Sequence, residues 1–193
     1  MKKTNTGQLR IVAGKWRSRL LQVANVPGLK PTAIRIRETL FNWLSPRIEG
    51  ACCLDLCAGT GALGLEALSR GASRVVFVEC SDIAFESLKF NINSLKASGA
   101  ELRKTDAISF LNNSVIEKFD IIFIDPPFGD GLYDDLFELI NVKGWLSKNA
   151  RIYIEMSANE KELDLPKNWH ILKRKRTGNV YYLLVAASKI ENF

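Results

Sequence analysis

The chain has 193 residues, 47% of them hydrophobic and 25% charged, with a formal net charge of +6. That length supports one domain with a sizeable core, and the composition excludes disordered and fibrous classes. No apolar run approaches the roughly 18 residues that cross a bilayer. The basic N-terminus also lacks the apolar stretch of about 7–15 residues found in a signal peptide, so a cytoplasmic protein without a membrane partner is expected.

The charge is segregated. Residues 1–50 hold ten Lys and Arg against Glu38 and Glu49, a balance of +8 that leaves −2 for the rest. A basic quarter of this kind suits a polyanion partner; the alternative is a solvated arm with no partner. Cys52, Cys53, Cys57 and Cys80 form neither a CxxC pair nor a disulfide framework. With His170 as the single histidine, no metal site is expected, and small buried strand residues are the simpler reading of the cysteines.

Residues 1–30 predict a basic extension with two short strands, "LRIVAG" and "RLLQV", closed by a turn at Pro27-Gly28. Residues 31–193 predict the main domain. From Thr32 the period becomes helical: Ile36, Leu40, Trp43 and Leu44 share a face, Arg35, Glu38 and Asn42 lie opposite, and Pro46 ends the run. Strand and helix then alternate. "CCLDLC", "SRVVFVE", "AELRKT", "FDIIFID" and "ARIYIEM" read as strands, and "ALGLEALSR", Ser81 to about Lys96, "AISFLNN" and about Leu132 to Ile140 as helices. Trp169 to Ala187 reads as a hairpin turning at Thr177-Gly178-Asn179. Continuous apolar strands between helices imply an α/β fold, a doubly wound and mostly parallel sheet of seven strands, beside the small N-terminal β-type extension.

Gly59-Thr60-Gly61-Ala62-Leu63-Gly64 is a GxGxxG run that follows a strand and opens a helix, the setting the motif needs. Glu79 ends the next strand, 20 residues after Gly59, where a carboxylate can accept from ribose hydroxyls. Asp55 can reach the amino-acid end of a cofactor such as S-adenosylmethionine. Asp106 can read an adenine amine or simply cap the short helix that follows.

The stretch "IIFIDPPFGD" ends a buried strand at Asp125, Pro126, Pro127 and Phe128. Neither proline donates a backbone hydrogen bond, and the residue before a proline stays extended. The Asp125 carboxylate and the Pro126 carbonyl then form two acceptors on one corner, with the Phe128 ring as a stacking face and Gly129 as the exit. Two acceptors and a flat face suit a planar group bearing an NH₂, such as a nucleobase flipped out or single-stranded. An ordinary Asp-Pro strand terminator is the alternative.

"LDLCAGTGALGLEALSRGA", Glu79, Asp106 and "DPPF" together resemble Rossmann-type, S-adenosylmethionine-dependent amino-methyltransferases with the N6-adenine-type signature. "LRIVAGKWRSRLLQV", "PGLKPTAIRIRETLFNWL" and "RTGNVYYLL" narrow the resemblance to the RsmD family, which methylates the exocyclic N2 of one guanine in bacterial 16S ribosomal RNA. The resemblance implies a class I methyltransferase fold with S-adenosylmethionine as cofactor. It places Asp55, Gly59 and Gly61 at the methionine end, Glu79 on the ribose, Asp106 and Ala107 near the adenine, and Asp125 to Phe128 on the guanine. Arg10, Lys15, Arg17, Arg19, Lys30, Arg35 and Arg37 would meet the 16S rRNA, naked or within an assembling small ribosomal subunit, and the chain would act as a monomer. "KPTAIR" departs from the family's Arg-Pro-Thr followed by polar residues.

Alternatives stay open. Adenine also carries an exocyclic amine, so a DNA or RNA adenine-N6 methyltransferase fits the corner. Protein glutamine methylation, a cofactor-free RNA-binding module and a nicotinamide dehydrogenase fit progressively less of the chain. Lys173 to Arg176 reads as a solvated edge or an RNA contact, His170 as a packing residue, and Trp16 as either a base-stacking or a packing residue.

Overall fold

The computed structural model describes residues 7–26, 31–127, 131–160 and 163–187. The expected Pro27-Gly28 turn, Lys30, Phe128 and Gly129 lie outside them.

Two short strands, β1 (Gln8–Arg10) and β2 (Leu20–Gln22), pair antiparallel with Leu9 opposite Leu21. Helix α1 (Ile34–Leu44) follows. The chain then alternates β3 (Cys52–Asp55), α2 (Ala62–Ser69), β4 (Arg74–Val78), α3 (Asp82–Leu95), β5 (Ala100–Arg103), α4 (Ala107–Asn112), β6 (Phe119–Ile124) and α5 (Tyr133–Lys143). Three strands close the fold: β7 (Leu146–Ser157), β8 (Trp169–Thr177) and β9 (Val180–Ala187). The sheet order is β5-β4-β3-β6-β7-β9-β8. Strands β3 to β7 run parallel, and β9 enters antiparallel between β7 and β8. This is the doubly wound sheet expected, with the class I methyltransferase strand order.

Strands β3, β4 and β6 are buried on both faces because helices cover each side. One core joins α1, α2 and α3 to the sheet through Leu40, Phe41, Leu65, Leu88 and Tyr153. The other packs α4 and α5 through Leu111, Phe137, Ile140, Trp145 and Trp169.

The N-terminal hairpin shares the first core, burying Leu9, Ile11, Trp16 and Leu21 there. Polar contacts fix it as well. The Gln22 amide donates to Asn91 Oδ1 (2.8 Å), Asn91 Nδ2 donates back to the Gln22 carbonyl (2.9 Å), and the Trp16 amide donates to Ser69 Oγ (3.0 Å). Trp16 is therefore a packing residue, with the Lys15 ammonium 4.2 Å above its ring.

Several expectations need correction. His170 is exposed rather than packed, since β8 is the sheet's edge and buries only Trp169 among Trp169–Thr177. Of the cysteines, only Cys53 is buried; Cys52 and Cys57 are half-buried and Cys80 is exposed. Strand β7 begins at Leu146 rather than near Ala150. Its register against β6 shifts between Phe119 and Ile121, and Asn149 at φ 66° absorbs the irregularity. The polar Ser-Lys-Asn stretch hides that part of the strand from an apolar pattern.

Candidate active site at the switch point

The chain runs outward from β3 through β4 to β5, then returns to lay β6 against the other side of β3. Ligands in open α/β sheets bind beyond the carboxyl ends of strands at such a reversal. Asp55 ends β3, and Asp125 follows directly on β6.

The glycine loop joins β3 to α2. Gly61, at φ 81°, occupies the N-cap position, and no side chain caps the helix locally. Asp55 takes that role from the strand: its Oδ2 accepts from the Gly64 amide at 3.0 Å, satisfying one of the otherwise orphaned N–H groups of the first turn. Gly64 serves close packing, since a Cβ there would lie 2.2 Å from the Phe77 ring of β4. The Glu79 carboxylate braces the same loop. Oε2 accepts from the Gly59 amide and Oε1 from the Ser81 amide, both at 2.7 Å. A carboxylate has about four lone-pair sites, so Glu79 keeps acceptors for a ligand.

Asp106 caps α4, with Oδ1 accepting from the Ser109 amide at 2.8 Å, and this bonding lowers its pKa. Capping thus accounts for Asp106 as a structural residue, and its exposed carboxylate retains acceptor capacity. Ala107 is buried as the first residue of α4.

At the corner, Asp125 is half-buried, Pro126 buried and Pro127 exposed, so the chain turns outward as β6 ends. Thr32 Oγ1 donates to Asp125 Oδ2 at 2.9 Å. Burial pushes the Asp125 carboxyl up to about 6, with the Thr32 hydrogen bond opposing. Asp55 is pushed to about 7, chiefly by burial; the Gly64 amide opposes, and Asp125 and Glu79 add repulsion. Tyr133 and Tyr153 stand behind the corner. Tyr133 Oη donates to the Glu155 carbonyl (2.8 Å) and Tyr153 Oη to Glu155 Oε2 (2.6 Å).

The basic residues divide. Arg10, Lys15, Arg17, Arg19 and Arg35 are exposed. Arg37 is not, which overturns its assignment to an RNA-facing surface. It is 0% exposed and pairs with the equally buried Glu66 at 3.2 Å. Arg37 stands on the stripe with Leu40, Phe41 and Leu44, a spacing of three, four and seven that marks it as core-facing. Glu66 inside the apolar run "ALGLEALS" is the matching signal. Thr32 had no sequence signal, because its partner lies 93 residues away.

The three carboxylates Asp55, Glu79 and Asp125 favour a ligand with positive charge at this end of the sheet. Residues 55–64 contain no Lys or Arg to offset these carboxylates. Among the described residues, no three His, Cys, Asp or Glu group to hold a metal ion, and no helix is long and apolar enough to cross a membrane.

The family model described as Conserved hypothetical protein 95 matches residues 9–186. Ribosomal RNA small subunit methyltransferase D of Escherichia coli K12 is 44% identical over 187 residues, covering 95% of this chain and 94% of that protein. The chain belongs to the RsmD family. The family's Haemophilus influenzae member is also 44% identical, over 191 residues, covering 95% of this chain and 98% of its own. A solved structure of a proposed methyltransferase from Escherichia coli superposes with a TM-score of 0.88 at 41% identity, covering 94% of this chain and 99% of that one. Membership in this family makes the chain a methyltransferase.

Proposed function

We propose that the chain transfers a methyl group from S-adenosylmethionine to the exocyclic N2 of a guanine in 16S ribosomal RNA. The observation that carries this reading is the Asp125-Pro126-Pro127 corner, standing beside the glycine loop braced by Asp55 and Glu79. S-adenosylmethionine supplies an electrophilic methyl group on a sulfonium centre. Its positive charge matches the acidic, Lys- and Arg-free loop. Gly59, Gly61 and Asp55 would border the methionine end, Glu79 the ribose, and Asp106 with Ala107 the adenine.

The Asp125 carboxylate would accept one proton of the guanine amine and the Pro126 carbonyl the other, holding the nitrogen in line with the donor. Phe128 would supply the stacking face. Above a pH of about 6 the Asp125 carboxyl is charged, and it can take up or relay the proton released after transfer. Residues 1–30 would act as the RNA-facing extension to a catalytic domain of residues 31–193, with Arg10, Lys15, Arg17 and Arg19 on the hairpin and Arg35 on α1 meeting the RNA together with Lys30. Ribosomal RNA named in the relatives supports an RNA substrate over DNA, and guanine rather than adenine rests on the basic N-terminal quarter and the family resemblance. The reading requires one copy of the chain and no metal, and takes free rRNA or an assembling small subunit as substrate in the cytoplasm.

Two measurements test it. Mass mapping of ribosomal RNA from cells lacking the protein should show one 16S guanine without its N2 methyl; loss at an adenine would favour the N6 alternative. Asp125→Ala should reduce methyl transfer by at least about a hundredfold while calorimetry shows cofactor binding retained. Turnover near that of the unaltered protein would remove Asp125 from the chemistry.

A further inference from the structure

Thr32 precedes α1, where a threonine commonly caps the helix. Here it does not. The N-cap is Ala33, no side chain caps the first turn, and the Ala33 carbonyl takes the amides of Ile36 and Arg37. The Thr32 hydroxyl instead reaches across the fold to Asp125 Oδ2. The residue is 3% exposed, so its hydroxyl is withdrawn from bulk water.

The backbone of Thr32 is itself held. Arg37 Nε donates to the Thr32 carbonyl at 3.2 Å, Arg37 Nη1 pairs with Glu66 Oε2 at 3.2 Å, and Nη2 donates to the Arg10 carbonyl at 2.8 Å. Glu66 also accepts from the Val12 amide (2.8 Å), the Ala13 amide (3.0 Å) and Arg70 Nε (2.8 Å). One buried ion pair therefore fixes the hairpin, the helix after the glycine loop and Thr32 together. Buried charges this well partnered leave little freedom to the groups they hold.

We propose that Thr32 is a positioning residue for methyl transfer: its hydroxyl orients the Asp125 carboxylate toward the acceptor amine, and Arg37 locks Thr32 for that purpose. The inference rests on the amine-methylation reading above. A carboxylate held at one oxygen by a fixed donor presents its other oxygen in a defined direction. The same hydrogen bond favours the charged form. Other groups facing Asp125 do the reverse or stay neutral: Asp55 at the end of β3, the Cys57 thiol after it, Tyr133 on α5 and Tyr153 on β7. Thr32 is thus a described neighbour whose hydrogen bond favours the ionised form of Asp125.

The test compares full-length Thr32→Val and Thr32→Ser with the unaltered protein. Methyl transfer to 16S rRNA lacking the modification is followed as kcat and KM against pH. Thr32→Val should lose about tenfold to a hundredfold in kcat at neutral pH, the scale of one hydrogen bond to a charged group. Its KM for RNA should stay within about twofold, since no RNA-facing group changes, and the acidic limb of the kcat profile should move upward. Thr32→Ser, which keeps the hydroxyl, should restore both. An unmoved limb in the valine variant, or equal losses in valine and serine variants, overturns the role.

A measurement without RNA separates this inference from the functional reading. In the free protein, the Asp125 carboxyl carbon followed by NMR should titrate at higher pH in Thr32→Val than in the unaltered chain, and an unchanged titration overturns the proposal. Thr32→Ala serves the same comparisons if the valine variant melts below assay temperature. Failure of the unaltered protein to methylate rRNA would overturn the functional reading, while the titration would still decide the role of Thr32.

Discussion

Asp125 carries opposed demands. Its carboxyl ionises near 6 in the folded protein, against an ordinary value of 3.8, because burial disfavours charge more than Thr32 favours it. The sign of the consequence follows from linkage. Below about pH 4 both folded and unfolded chains are protonated, and the group contributes nothing. As pH rises toward 6, the unfolded chain ionises first and folding loses stability; above 6 the whole penalty remains. Asparagine cannot ionise but still accepts the Thr32 hydroxyl. Asp125→Asn should therefore gain about 1–2 kcal/mol at pH 7, a value reduced from the full linkage because the residue is half-buried. Thermal melts should show a rise of a few degrees at pH 7 that fades near pH 4, together with loss of methyl transfer. A melting point lowered at pH 7 but unchanged near pH 4 would show that the carboxylate stabilises the corner. A site residue that costs stability is a common trade of activity against stability.

Among elements, α1 does more than cover the sheet. Its buried stripe of Ile36, Leu40, Phe41 and Leu44 includes Arg37, whose guanidinium spans Thr32, Glu66 and the Arg10 carbonyl. Removing Arg37 leaves Glu66 buried with only part of its partners. Arg37→Ala should therefore cost about 3–5 kcal/mol, measured by urea unfolding with the slope unchanged. A loss under about 1 kcal/mol would place Arg37 at a solvated position after all. The helix itself, its Pro46 stop and its exposed Arg35–Glu38–Asn42 face were legible in residue spacing. So were the alternating strands, the glycine loop and the terminal hairpin, because each is written in local period and turn chemistry. Arg37 with Glu66 and Thr32 with Asp125 were not. These contacts close across 29 and 93 residues, and only the folded sheet brings their ends together. His170 is exposed rather than packed for a related reason: insertion of β9 beside β7 leaves β8 at the edge, and strand order has no local signature.

For the molecule as a whole, the charge asymmetry acquires a shape. The basic hairpin is not a loose arm: Glu66 holds the Val12 and Ala13 amides, Ser69 the Trp16 amide, and Asn91 both backbone polar groups of Gln22. These anchors are backbone and buried side-chain contacts, so the exposed cations on the hairpin can be exchanged without unfastening it. Arg17 is exposed, and Arg19 makes one exposed hydrogen bond to the Ser94 carbonyl. If this face meets RNA phosphates, each contact releases counterions and contributes about 0.7 to the slope of log affinity against log salt for a single strand. Arg17→Glu with Arg19→Glu should then weaken RNA binding, most at low salt, and flatten the slope by about 1–2. Cofactor affinity should stay as before, since neither residue touches the switch point. Fluorescence titrations at several salt concentrations measure both. A weakened complex with an unchanged slope would mean that the reversal acts through folding rather than phosphate contact, and an unchanged complex would take the hairpin off the RNA face. The rigid mounting makes the experiment decisive, because a fixed hairpin presents its cations at a constant distance from Asp125 while a mobile arm would average that relation away.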